Sequence, residues 1–338
     1  MNKKNLWGVL IVLLISSLVL YFDLRATPMA TLKAAAGQII PWRLVLVFLA
    51  MALSYVCEAL ILRLLATKRP GTAKRSFWSY LRIPLIQALF NGITPMATGG
   101  QPSQLAAMVE MGMAGGRATS ILMMKFICYQ LVVLFAYLTA FIFGFHFVAG
   151  KFSALAIFIF LGFALHVFSI ILLLLAMFAH NWTVKAVKKV MKLLGRIFGQ
   201  ERAQAWEKST LEQVESFYKE SQALKAEKKK LWGVVLLTVG QLLCYYSAPY
   251  LALRALGQPV DYVQVTLMTI LIIMFMAVIP LPGASGGAEF SFQTLFASFI
   301  SQPGVVVLAM FLWRFATYFF GMILGIFGWS FKPAKLRD

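Results

Sequence analysis

The chain has 338 residues, of which 61% are hydrophobic and 13% charged, with a mean hydropathy of +0.81. That composition excludes a soluble globular domain and describes an all-α polytopic membrane protein. The net charge of +19 is read as basic cytoplasmic loops and attraction to anionic lipid, so no nucleic acid is expected as partner.

Three cysteines (Cys57, Cys128, Cys244) lie in apolar segments without metal spacing, and three histidines (His146, His166, His180) are scattered. No metal and no cofactor are expected. The N-terminus, Lys3 and Lys4 followed by Leu6 to Phe22, has no small-residue cleavage site and is read as a retained helix.

Apolar runs long enough to span a bilayer lie at about 6–22, 42–62, 119–145, 152–179, 231–254 and 304–330. Two further runs are interrupted. Residues 81–113 break around Thr94–Gln101, and 262–301 break around Pro280–Gly287, leaving arms too short to cross comfortably.

Charge assigns the topology. Arg63, Lys68, Arg69, Lys74, Arg75 and Arg82 mark one cytoplasmic loop, Lys185 to Lys192 and Lys228 to Lys230 bound another, and Lys332, Lys335 and Arg337 mark the tail. The loops at 146–151 and 255–261 are short and charge-poor, as outside loops should be. With both termini inside, six crossings fit only if each interrupted segment is a re-entrant hairpin, the first from the cytoplasm and the second from outside.

The two hairpins echo each other. Pro95-Met96-Ala97-Thr98-Gly99-Gly100 reappears as Pro282-Gly283-Ala284-Ser285-Gly286-Gly287. Before them stand Leu60-Ile61-Leu62-Arg63 and Leu251-Ala252-Leu253-Arg254; after them stand Lys125-Phe126-Ile127-Cys128-Tyr129 and Arg314-Phe315-Ala316-Thr317-Tyr318. Three ordered matches in opposite membrane orientation describe an inverted repeat. Repeat A covers about 42–145 and repeat B about 231–330, within one integral membrane domain over 1–338. Between them, about 183–230 reads as a polar linker with an amphipathic helix (Val187, Met191, Leu194, Phe198 opposite the lysines) and a second helix carrying Trp206, Val214 and Phe217.

Non-helical backbone at membrane depth is tolerated only where protein buries it or water reaches it. The hairpin tips are therefore expected to meet near the midplane. The second arm of each begins after a Gly pair (Gly99-Gly100, Gly286-Gly287), so free N–H groups and a positive dipole end suit an anion, with phosphate the obvious one. Thr98 and Gln101 have capping-box spacing, and Ser285 precedes a first turn containing Glu289; for Thr98 and Ser285, helix capping and headgroup contact both stand. Lys125 and Arg314 sit inside apolar spans, where a charge costs at least about 2.5–3.5 kcal/mol. A basic pair facing the cavity, contacting a phosphodiester or Glu289, is favoured over snorkelling. Tyr129 and Tyr318, one turn on, reach the same headgroup. Asn91 and Thr94 complete the first tip. Gln87, Gln104, Gln130 and Gln241 are assigned mostly to polar helix contacts. No catalytic arrangement is visible, so an enzyme is not the favoured reading.

At the tips the chain resembles the transmembrane flippase domain of the lysylphosphatidylglycerol synthases, the multiple peptide resistance factors, and their stand-alone relatives. The residues are Asn91-x-x-x-Pro95, Gly99-Gly100-Gln101, and Ile279-Pro280-Leu281-Pro282-Gly283 leading to Gly287-Ala288-Glu289. The resemblance implies translocation of an anionic or aminoacylated phospholipid across the bacterial plasma membrane, with a lipid-modifying synthase or a homodimer as possible partners. It also implies, as alternatives, a phosphatidylglycerol lysyltransferase or its membrane subunit, or transport of polyprenyl-phosphate sugars. The chain ends at Asp338 with no transferase domain expected. Where many relatives have Gly-Glu and a following Arg, it has Gly100-Gln101 and Gln104.

Overall fold

The computed structural model describes Arg25 and residues 27–66, 76–226 and 228–330. The expected first span at 6–22, most of the first basic loop and the tail cations lie outside the described residues. Within them the chain is helical, and five stretches are long and apolar enough to cross a membrane: Pro41–Ala66, Gly115–Lys151, Ser153–Leu175, Lys228–Ala255 and Pro303–Ser330.

The elements of the first half are α1 (Met29–Gly37), α2 (Pro41–Ala66), α3 (Phe77–Ile93), α4 (Gly100–Glu110), α5 (Gly115–Lys151) and α6 (Ser153–Phe178). Those of the linker are α7 (His180–Phe198) and α8 (Gln200–Ala226), and those of the second half are α9 (Lys228–Tyr246), α10 (Ala248–Ala255), α11 (Tyr262–Met276), α12 (Gly287–Phe296), α13 (Pro303–Arg314) and α14 (Phe320–Ser330). Local chemistry explains several boundaries. Ser76 caps α3 by accepting the Trp78 N–H, and Asp261 caps α11 by accepting the Gln264 N–H at 2.7 Å. Pro249 near the start of α10 removes a helical donor, so the fourth span breaks at Ser247. A π-turn over Phe315–Phe319 joins α13 to α14 directly after Arg314; such turns collect at functional positions.

Packing runs crosswise between the two halves of the chain. The opening spans of the two halves, α2 and α9–α10, lie against each other. The first arm of each hairpin packs on the closing span of the other half: α3 on α14, and α11 on α5. Gly325 is what lets α14 approach α3, since a Cβ there would stand 2.5 Å from the Leu85 carbonyl oxygen. Gly162 does the same between α6 and α11, where a Cβ would fall 2.0 Å from the Met274 oxygen.

The hairpins open to opposite ends of the helical body. At one end Arg117 Nη2 donates to the Ala66 carbonyl, while Arg82 donates through Nε to the Gly328 carbonyl at 2.6 Å and pairs through Nη2 with Glu110 at 2.6 Å. At the other, the Ile40 N–H donates to the Ala255 carbonyl at 2.8 Å and Arg43 donates to the Arg254 carbonyl at 3.1 Å. Hairpin α3–α4 starts and finishes at the first end, hairpin α11–α12 at the second.

The linker folds back on itself at Gly199 (φ 94°). His180 Nε2 meets Glu215 at 3.1 Å and its ring stacks on Tyr218, joining α7 to α8. The α7 lysines Lys185, Lys188, Lys189 and Lys192 are all exposed.

Gly325→Ala should force α3 and α14 apart. The expected cost is about 1–3 kcal/mol, measured as a lower midpoint of thermal unfolding in detergent; an unchanged midpoint would contradict the close approach.

Candidate functional site

The two tips touch. Pro95 and Pro282 pair as an isolated antiparallel bridge, and since neither has an N–H, flanking backbone makes the pairing. The repeated six residues also fold alike. Met96 and Ala97 (φ 52° and 56°) match Gly283 and Ala284 (φ 59° and 51°), all left-handed. Two alanines and a methionine held there store strain of the kind found at functional turns. The Thr98 and Ser285 N–H groups donate to Pro95 and Pro282 carbonyls at 3.2 and 3.3 Å. Their hydroxyls donate to the same carbonyls, each at 3.0 Å.

That geometry corrects two expectations about caps. Thr98 and Gln101 do not form a capping box: the Thr98 hydroxyl turns back to Pro95, Gln101 is exposed, and the cap position of α4 is Gly99, with no side chain to serve it. Thr94 ties this tip instead, donating to the Phe90 carbonyl at 2.6 Å and accepting the Gly99 N–H at 2.9 Å. Nor does Ser285 cap α12. The cap position is Gly286, whose N–H donates to Glu289 Oε2 at 2.7 Å. In both halves the turn's own carbonyl outcompetes the helix end for the hydroxyl.

Tyr318 binds the tips together. Its hydroxyl donates to the Gly92 carbonyl of the first hairpin at 2.8 Å. Its ring lies against Gly283 of the second, where a Cβ would come within 2.3 Å. One turn back, the Arg314 guanidinium stands over the same ring at 4.6 Å. Arg314 Nε is 2.7 Å from Glu289 Oε1. Both residues are buried, at 2% and 3% exposure. This pair is under-satisfied, because Nε is not aimed at the carboxylate and neither Nε nor Nη2 makes a hydrogen bond among the described residues. Unspent guanidinium donors beside a tip are what an anion would use.

Lys125 is elsewhere. It does not stand with Arg314 but forms a buried ion pair with Glu58 of α2. Around it gather Gln87 of α3, Gln104 of α4 and Gln241 of α9. Lys125 Nζ donates to Gln104 Oε1 at 2.9 Å and to Gln87 Oε1 at 3.5 Å. Gln104 Nε2 donates to Glu58 Oε1 at 2.8 Å and also to Gln87. Gln241 Nε2 donates to Glu58 Oε2 at 2.9 Å. The cluster lies just under the first tip, since a Cβ on Gly100 would meet both Asn91 Oδ1 and Gln87 Cγ. Tyr129 packs half-buried against the larger core. It lies within electrostatic reach of both Glu58 and Tyr245, and Tyr245 in turn lies within reach of Arg314.

Of the residues singled out from sequence, Asn91, Thr94, Gly99 and Gly100 build the first tip and Ser285, Gly286, Gly287 and Glu289 the second, with Arg314 and Tyr318 against them. Lys125 and Tyr129 belong to the neighbouring cluster. Gln87, Gln104 and Gln241, assigned from sequence to polar helix contacts, make such contacts here; that they converge with Glu58 on Lys125 is what sequence reasoning misses. The available signal is Lys125 itself: a buried ammonium needs a carboxylate, and Glu58 is one of few acids in an apolar span.

A family model described as "Lysylphosphatidylglycerol synthase TM region" matches residues 6–325. No curated protein matches the chain.

Lys125→Met should cost about 3–5 kcal/mol by stranding the Glu58 carboxylate, read as a lower unfolding midpoint. Adding Glu58→Gln should recover much of that loss; additive losses would show that the pair is not coupled.

Proposed function

Because the chain belongs to the lysylphosphatidylglycerol synthase transmembrane-region family, we propose that its membrane-lipid function is flippase-like translocation of an anionic or aminoacylated phospholipid across the bacterial plasma membrane. The observation that carries this reading is the buried, under-satisfied Arg314 beside the meeting point of two hairpins that open to opposite ends. A lipid phosphate is the ligand that arrangement suits. The phosphodiester accepts the free guanidinium donors, the positive end of α12 adds to the attraction, and the acyl chains stay in lipid. Glu289 then holds the empty site neutral and gives way when the anion arrives. On this reading the basic loops face the cytoplasm at the first end, with both termini inside.

A second reading comes from the family's description: the chain is the membrane partner of a synthase that aminoacylates lipid. Lysyl transfer from charged tRNA by the purified chain alone would support an enzyme instead. Polyprenyl-phosphate sugars share the phosphate chemistry and can be offered in the same assay as phospholipids.

Proteoliposomes carrying the purified chain should move labelled lysyl-phosphatidylglycerol or phosphatidylglycerol between leaflets faster than empty liposomes. Arg314→Ala should reduce that rate by at least roughly tenfold, the weight of one charge-assisted contact. Arg314→Lys should retain part of it, keeping the charge but losing the planar fork. Wild-type rates equal to those of empty liposomes would overturn the reading.

A further inference from the structure

The environment of Lys125 is more specific than charge neutralisation requires. An ammonium on a carbon chain has three N–H donors. The Lys125 ammonium meets three side-chain oxygens from three helices, Glu58 Oε1, Gln104 Oε1 and Gln87 Oε1. The glutamines are themselves held in place: Gln104 Nε2 is committed to Glu58 and Gln87, and Gln241 Nε2 to Glu58 Oε2. That leaves Gln241 Oε1, a buried acceptor without a hydrogen-bond partner among the described residues, on a residue only 9% exposed. The buried ammonium needs an acceptor for each N–H, and Glu58, Gln104 and Gln87 supply them; the Gln241 carbonyl oxygen is the polar atom left over, a buried group that costs free energy until something donates to it.

We propose that Glu58, Gln87, Gln104 and Gln241 form a binding site for a primary ammonium, in which Lys125 is a tethered occupant that exchanges with the ammonium of an incoming ligand. The three acceptors match the donor count of –NH3+. A quaternary ammonium has no N–H to give them, and sodium takes a larger set of oxygens than three. Gln241 Oε1 is the spare acceptor that an arriving ammonium meets before Lys125 leaves. While Lys125 occupies the site, the Glu58 charge is neutralised, so the resting protein carries no stranded carboxylate there. Its place directly under the first tip, the tip that Tyr318 links to the Arg314 side of the second hairpin, suits a ligand that carries both an anion and an ammonium. An aminoacylated phospholipid headgroup is such a ligand. That last identification rests on the transport reading; the ammonium site itself does not.

The test separates the two. Lys125→Ala in detergent, unfolded thermally in methylammonium, sodium or tetramethylammonium chloride at equal ionic strength, should gain several degrees from methylammonium alone. Wild type, and Lys125→Ala combined with Glu58→Gln, should gain nothing. No gain for Lys125→Ala, or an equal gain from sodium, overturns the site. If Lys125→Ala folds only with a cation present, the yield of folded protein in methylammonium against sodium decides the same question. Gln241→Leu, which keeps the ion pair, should lower the ratio of lysyl-phosphatidylglycerol to phosphatidylglycerol flipping by roughly tenfold in proteoliposomes; an unchanged ratio overturns the exchange with a lipid headgroup. Wild type that moves neither lipid overturns the transport reading, and the methylammonium titration still decides the ammonium site.

Discussion

Backbone that leaves the helix in an apolar interior must find partners there, and in this protein each hairpin tip supplies what the other lacks. The Pro95–Pro282 bridge joins the two turns, and the Tyr318 hydroxyl takes up the Gly92 carbonyl that α3 leaves open at its end. The crosswise packing of α3 on α14 and α11 on α5 follows from the same need. The first arm of each hairpin is too short to stand alone and leans on the closing span of the other half. Glycine at the contacts lets backbone approach backbone, so the tips are held by the spans around them rather than by their own stability.

The two buried ion pairs have opposite characters. Glu58–Lys125 sits among amides that satisfy its donors and leave Gln241 Oε1 as a spare acceptor. Glu289–Arg314 is close in distance but poorly aligned, with guanidinium donors unspent and one face of the group resting on Tyr318. Burying charge costs several kcal/mol per ion unless geometry and hydrogen bonding compensate. Alignment rather than distance is therefore what separates the two pairs. A π-turn follows Arg314 immediately, on the same side of the pair as Tyr318 in the chain.

Legibility from sequence varies with the range of the interaction. The hairpins, their proline-glycine tips and the kinship of the two halves are visible because they rest on local pattern: apolar length, interruption and a repeated six-residue string. The matched φ values at Met96–Ala97 and Gly283–Ala284 are the structural counterpart of that string. Spacing misleads about caps at Thr98 and Ser285, because it does not tell a helix N-terminus from a tight turn with its own carbonyl nearby. Lys125 stands out as a charge in need of a partner, but Glu58 lies 67 residues away on another helix, and no periodicity marks such a pair.

By itself, then, the sequence determined an all-helical membrane protein with two interrupted apolar segments that share a six-residue pattern. Those properties depend on hydropathy, on the conformational range of glycine and proline, and on charge in the loops, all readable a few residues at a time. Only the tertiary structure decided that Lys125 and Arg314 belong to different ion pairs, that Tyr318 spans both tips, and that Gln87, Gln104 and Gln241 converge on one of those pairs. Partner choice among buried charges is set by which helix faces meet, and that is a property of the packed bundle rather than of any stretch of chain.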